Sequence, residues 1–400
     1  TAEVEPTAEV EPTAEVEPTA EVEPTTEVEL PPDVIEDMLS EHGTFTTGAG
    51  DMLTVQLNCN PEIDKDGDNV PDNLDVDPTL EMNWSYCDLS TVNLSHRDLS
   101  GANLEGTYLK YAQLNGTNLS GANLHATNMW HAFIHDTNFT GADLSYTQIY
   151  KAIISGDTTF NHANLSYGNL CGTAIAPYVL KGTDLSHTAF DHGELILADL
   201  SEADVTYTNF HDTDLTGVNL SGSDLTGTTL TKAVLTDANL SGVDLSGKDL
   251  TDTVLKGVDL SNKDLTGTIL RGADLSNSIL DGVDLSGMDL TGVILRGSQM
   301  KAVDLTDTIL TGADLSHSIL HGVYLSNKDL TDTILTGADL SHSILDDVDL
   351  SGMDLTGVIL RGSHMKAVNL TDTILTGADL ENIVRVDTIL NCVGHPICGN

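Results

Sequence analysis

The chain has 400 residues, 62 of them acidic and 16 basic, giving a formal charge of −46 and a pI near 4.1. Phosphate affinity rests on Lys and Arg, so this balance excludes nucleic-acid binding through a basic surface. No run of about 18 apolar residues occurs, so no membrane insertion by a spanning helix is expected.

The first residue is Thr rather than Met and no apolar signal region follows, as expected of a processed or truncated chain. Residues 1–79 hold 22 acids against one base, Lys65, while residues 80–400 hold 40 against 15. That shift in charge density places a boundary near residue 80.

Four tandem copies of Thr-Ala-Glu-Val-Glu-Pro fill residues 1–24, a degenerate fifth runs from Thr25 to Leu30, and Pro31-Pro32 follows. Pro6, Pro12, Pro18 and Pro24 forbid a continuous helix and bias each preceding Glu toward extended backbone. Residues 1–32 therefore read as an extended acidic arm. It is either a spacer or a strap that adds as a strand to a neighbouring subunit, with Val4, Val10, Val16 and Val22 as pegs.

Residues 33–83 read as a small N-terminal module. Asp33 is placed to cap a short helix over Val34 to Leu39, and Met52 to Leu57 alternates partly like a strand. Within it, residues 64–78 set carboxylates at loop positions 1, 3, 5, 9 and 12, the oxygen-rich pattern a hard cation requires. Five carboxylates this close repel strongly without a cation. Asn69 stands where Gly is usual, and Asn tolerates the left-handed turn. The loop resembles the calcium repeat of thrombospondin type 3 modules. That resemblance implies that Asp64, Asp66, Asp68, Asp72 and Asp75 supply side-chain oxygens to calcium and Val70 a carbonyl.

From residue 84 to 391 one period dominates. Leu or a similar residue recurs every fifth position from Leu89 through Leu94, Leu99 and Leu104 to Ile154. One extra residue within Ser155–Thr159 shifts the register, and Phe160, Leu165 and Leu170 carry it on to Leu390, about 61 units in all. A small or modest side chain sits two before each centre, and the residue immediately before it is mostly Asp or Asn, as in Gly-Ala-Asp-Leu-Ser at 272–276 and 312–316. A period of five fits neither 3.6 nor 2.0, which excludes ordinary helices and sheets.

The pattern resembles the pentapeptide-repeat family. The resemblance implies an all-β fold, a right-handed four-sided parallel β-helix with four units, twenty residues, per coil. The centre and the small residue two before it point inward. At ~4.8 Å per coil the solenoid is roughly 70 Å long. Outward Asn columns are expected to bond in ladders and Asp columns to repel, with cations relieving them. Arg385 falls on a central position, so the core is expected to end near Leu380. Lys248, Lys263 and Lys328 fall on inward positions, and their stems are expected to snorkel out between coils.

Ser286 to Ser298 recurs unchanged from Ser351, an offset of 65 residues. Thirteen units over four faces turn the second copy by one face, which suits a uniform rod better than a one-faced binding site. Lys110, Trp130, Tyr150, Cys171, Asp191 and His211 fall on one side, with Tyr111, His131 and His192 beside them. Tyr111, Trp130, His131, Tyr150 and Cys171 are the candidate contact strip, the alternative being scattered surface variation.

Of five cysteines, Cys392 and Cys398 bracket a short tail, residues 392–400, and are compatible with a local disulfide. Cys59 and Cys87 flank the calcium loop and are a second candidate pair, although Cys87 also fits the core. Cys171 is left over and outward, either an intermolecular partner or an inert thiol. Fourteen histidines show no metal-binding spacing, and a filled solenoid leaves no substrate cavity, so an enzyme is not expected.

The leading expectation is an extracellular or cell-surface structural rod, calcium-stabilised, forming a homo-oligomer by head-to-tail filament assembly. Two alternatives stand. The family resemblance implies that some members mimic DNA and inhibit DNA gyrase. The row Thr291, Thr311, Thr331, Ser351 and Thr371 suggests an adhesin or ice-binding face.

Overall fold

The computed structural model describes residues 83–175, 180–388 and 390–398. The arm, the body of the small module and the calcium loop lie outside the described residues.

Every coil is closed by the same local chemistry. The backbone N–H three residues after a centre donates to the centre's carbonyl, as from Val92 to Leu89 at 3.2 Å and from Ala112 to Leu109 at 3.0 Å. The residue two after the centre takes positive φ, 64° at Thr91 and 60° at Tyr111. Positive φ there alone defines a type II turn, which favours Gly and Asn at that place. The Asp or Asn before the centre reinforces the turn by accepting the N–H two residues on. Asp264 Oδ1 takes the Thr266 N–H at 2.9 Å, and Asp329 Oδ1 takes both the N–H and the hydroxyl of Thr331, at 3.0 and 2.6 Å.

Between corners the chain runs as short strands pairing in parallel with the next coil, Asn83 with Asn103 and Asn93 with Gln113, a spacing of twenty residues. Leu94 donates to the Gln113 carbonyl and Gln113 to that of Val92, at 2.8 and 3.0 Å, so backbone groups are satisfied along the stack. Two stretches are regular enough to name: β1, Phe133–His135, pairs with β2, Ile153–Ser155, and β3, His364–Lys366, with β4, Val384–Val386. The extra residue bulges without turning the faces, since Phe133 pairs with Ile153 and Asn138 with Thr159.

Centres fill the interior. Leu94, Leu104, Leu109 and their successors are fully buried, as are Phe139, Phe160, Phe190 and Phe210. Phe139 and Phe160 stack with centroids 4.9 Å apart. Thr is admitted two before the centre because its hydroxyl finds a carbonyl one coil back. Thr117 reaches Leu94 O at 2.8 Å and Thr213 reaches Phe190 O at 2.9 Å. A buried hydroxyl so paired carries no desolvation penalty.

The inward lysines differ from expectation. They do not snorkel to solvent. Lys263 Nζ donates to Leu240 O at 2.6 Å and Val243 O at 2.8 Å, Lys248 to Leu225 O, and Lys328 to Thr308 O at 3.4 Å. Lys248 and Lys263 take the carbonyl that Thr takes elsewhere, so satisfied backbone acceptors outweigh hydration of the ammonium. The longer stems wedge coils apart. Asp224, Asp244 and Asp264 form no ladder bridge, and a cleft of about 690 Å³ opens beside Lys263, Asp244 and Asp259.

At the C-terminal end Leu375 is fully buried, Leu380 partly, and Arg385 stands exposed in β4, whose three residues are all exposed. The tail does more than trail. Val393 pairs with Ile374, Cys392 and Cys398 are joined with an S–S separation of 2.16 Å, and Ile397 packs on the core. It covers one side of the end and leaves β4 open.

Candidate functional site

The first coils carry an aromatic and cationic cluster at one corner. Tyr111 and His131 occupy the same left-handed turn position one coil apart, and their rings stack at 5.2 Å. Trp130 and Tyr150, each one residue earlier in its turn, lie 5.7 Å apart, and His131 meets Tyr150 edge-on at 6.4 Å. Lys110 Nζ sits 5.4 Å from the Trp130 ring centroid and 5.5 Å from that of Tyr111, and Lys151 Nζ lies 5.0 Å from that of Tyr150. These are cation–π distances. Tyr111 is 45% exposed, and the Trp130 indole N–H is shielded with no acceptor.

Tyr111, Trp130, His131 and Tyr150 are thus brought together. Cys171 is not part of this surface. It is only 7% exposed, its sulfur 3.6 Å from Asp191 Oδ2, and burial together with that carboxylate pushes the thiol up to about 12. Its outward position in the repeat is covered by the coil above, so it is a shielded thiol rather than an exposed one. Further along, His192 pairs with Asp212 and His211 with Thr231, both at 2.7 Å, which separates them from the aromatic group.

A second column was not anticipated. At the neighbouring corner Tyr146, Tyr167, His187 and Tyr207 stack ring on ring at 4.8, 4.4 and 4.7 Å, within 14° of parallel. All four have φ between 57° and 60°. Their spacing of 21, then 20 and 20 residues is visible in the sequence once the coil length is applied across the extra residue. Asn ladders also form, Asn103 to Asn83 at 3.1 Å and Asn239 to Asn219 at 2.9 Å.

Asp64, Asp66, Asp68, Val70, Asp72, Asp75 and Cys59 lie outside the described residues. Cys87 is buried and is not a free thiol. Among the described residues no group of three His, Cys, Asp or Glu side chains is placed to hold a metal ion, and no helix is long and apolar enough to cross a membrane.

A four-sided solenoid with twenty-residue coils, a Leu interior and Asx-braced corners defines the class of protein. The pentapeptide-repeat family model matches residues 87–156, 179–231 and 233–382, and the chain belongs to that family, whose members fold as right-handed quadrilateral β-helices and are generally structural or inhibitory rather than catalytic.

Among solved structures the chain is similar to HetL, a pentapeptide-repeat protein involved in heterocyst differentiation regulation in the cyanobacterium Nostoc sp. strain PCC 7120. Identity is 26%, over 61% of this chain and 91% of that one, with a TM-score of 0.23. A trypsin-treated form of QnrB1, a plasmid-mediated fluoroquinolone resistance protein, is 20% identical over 48% and 88%, with a TM-score of 0.21. A thylakoid-lumen pentapeptide-repeat protein of Arabidopsis thaliana is 23% identical over 32% and 69%, with a TM-score of 0.11. None of the curated proteins matches the chain. At such TM-scores the membership rests on the repeat itself.

Proposed function

We propose that the chain is a structural rod that assembles head to tail into filaments outside the cell or at its surface, with calcium held by the Asp64–Asp75 loop. The observation that carries this reading is the open end. Among the described residues β4 pairs only with β3, and Val384 and Val386 are 49% and 43% exposed. An exposed apolar edge strand is a template for another chain. One end docking on a different end is heterologous and does not close, which yields a filament. The Cys392–Cys398 disulfide suits an oxidising compartment. A loop of this kind binds calcium at roughly 10⁻⁴–10⁻³ M, which suits an exterior rich in calcium. Electron microscopy and sedimentation of the full chain test the reading. Uniform fibres and a higher thermal midpoint are expected in millimolar calcium relative to chelator, and a monomer at high concentration with calcium present overturns it.

A second reading, a DNA-mimicking inhibitor of DNA gyrase, is favoured by one feature. Asp184, Asp204, Asp224, Asp244, Asp264, Asp284 and Asp304 occupy the same place on seven successive coils. QnrB1 is itself a fluoroquinolone resistance protein. A gyrase supercoiling assay separates the two readings, since a rod that only assembles leaves supercoiling unchanged. The adhesin or ice-binding alternative is weakened because Thr331 and Thr371 spend their hydroxyls on Asp329 and Asn369 of their own turns, at 2.6 and 2.7 Å.

A further inference from the structure

The corner cluster of Lys110, Tyr111, Trp130, His131, Tyr150 and Lys151 has no part in the end-to-end contact, yet its chemistry is specific. In a chain with 62 acids and 16 bases, Lys110 makes no ion pair with a carboxylate among the described residues and instead lies over two rings. The Trp130 indole N–H beside it lacks an acceptor. Backbone addition of a strand is closed here, because Tyr111 N already donates to Trp130 O and His131 N to Tyr150 O, at 3.0 and 3.2 Å. What remains is a surface of flat rings beside the Lys110 ammonium. Such a surface complements an extended segment that offers proline rings, free carbonyls and carboxylates.

The chain carries one such segment, the Thr-Ala-Glu-Val-Glu-Pro array of residues 1–24. We propose that the cluster is the acceptor site for this array from a second copy, lying across the rings as a polyproline-type strand, Glu side chains toward Lys110. The three rungs at residues 110, 130 and 150 span about 10 Å at the β spacing. The four residues Glu-Val-Glu-Pro span about 9 Å from first to last in a polyproline helix, so each hexapeptide places one Pro and two Glu on the site. Four tandem copies raise the effective concentration of the contact without changing its chemistry. The inference rests on the self-assembly reading and concerns a different surface from β4.

The test uses the full chain. A photo-crosslinking residue is introduced at Val10, chains of natural and ¹⁵N isotope content are mixed, and crosslinks are mapped by mass spectrometry. Mixed-isotope crosslinks from residue 10 to the stretch 108–151 are expected. Crosslinks within one chain only, or to other coils, overturn the proposal. In parallel, a fluorescent synthetic peptide of residues 1–24 is titrated against the full chain and against Lys110→Glu/Tyr111→Asn, Asn being chosen because it accepts φ near 60° at that turn. The variant is expected to bind at least about tenfold more weakly with an unchanged melting profile, a loss of about 1.4 kcal/mol. Equal affinity overturns the proposal. Fibres that persist without these crosslinks sink the acceptor site and leave the end-to-end reading standing. Crosslinks and peptide binding without fibres do the reverse.

Discussion

Lys263 shows what an interior position demands of a residue. The place two before a centre faces a carbonyl of the preceding coil, and most polar residues that stand there donate to it or to the carbonyl of the centre just before them. Thr253 and Thr268 donate to Leu230 O and Leu245 O at 3.0 and 2.8 Å with a short hydroxyl and leave the coils in contact. Lys263 reaches its carbonyl with a long stem, opens the cleft, and burial lowers its pKa below the usual ammonium range. Lys263→Thr therefore keeps the hydrogen bond, removes a half-buried charge and closes the gap. It is expected to stabilise the chain by about 1 kcal/mol in chemical denaturation. Gly227 sets the opposite constraint. Its φ is +70°, and a Cβ would fall inside the Tyr207 ring, which leans from one coil onto the next. Gly227→Ala is expected to cost at least about 1–2 kcal/mol from backbone strain alone. In a double-mutant cycle, Tyr207→Asn should return only the steric share.

At the scale of the single unit, the Asp before each centre has a local reason to be there. Thr266 donates its hydroxyl and its N–H to Asp264, and these bonds hold that carboxyl below the usual range. The stacked Asp244 pushes the other way and is the smallest of the influences. The same hydroxyl-then-backbone order lowers Asp224, Asp289, Asp304, Asp329, Asp349 and Asp354. Turn bracing thus outweighs repulsion along the column, and cations are not needed to explain why the column holds. The sign for pH follows. A carboxyl whose folded pKa lies below its unfolded value stabilises the fold above the unfolded pKa, near 3.9, and loses that contribution as pH falls through the folded value. Thermal midpoints should be level from pH 7 to about 5 and fall below about pH 4. A midpoint that rises on acidification would show that relief of repulsion wins instead. Much of this was legible beforehand. A period of five with Leu at the centre marks the inward positions and the end of the core, because those depend only on which residues must leave water, and the family resemblance it carries implies the solenoid and its four faces. The role of Thr inside, the fate of the inward lysines and the Tyr146–Tyr207 stack were not, because each depends on a neighbour 20 or more residues away. Asx bracing was missed although its signal, Asp or Asn two before Ser or Thr, stands in about half of the units.

On the scale of the whole molecule, the side walls and the end obey different rules. Along the walls most strands are paired above and below, so an exposed Ile such as Ile359, bridged to both Asp339 and Asp379, offers area but no free ladder. At the end, the tail shields the side where Val393 pairs with Ile374, while β4 shows an unpaired apolar edge. If assembly proceeds by pairing on that edge, charge placed on it should block growth without touching the fold, as edge lysines do in natural sheets. Val384→Lys/Val386→Lys is the variant, and Ile359→Lys on a wall is its control. The first is expected to remain monomeric in sedimentation at concentrations where the unaltered chain forms fibres, the second to assemble as before, and both to melt within about 0.5 kcal/mol of it. Fibres of normal length from the double variant would place the subunit contact on the walls, and the corner cluster rather than β4 would then have to carry the assembly.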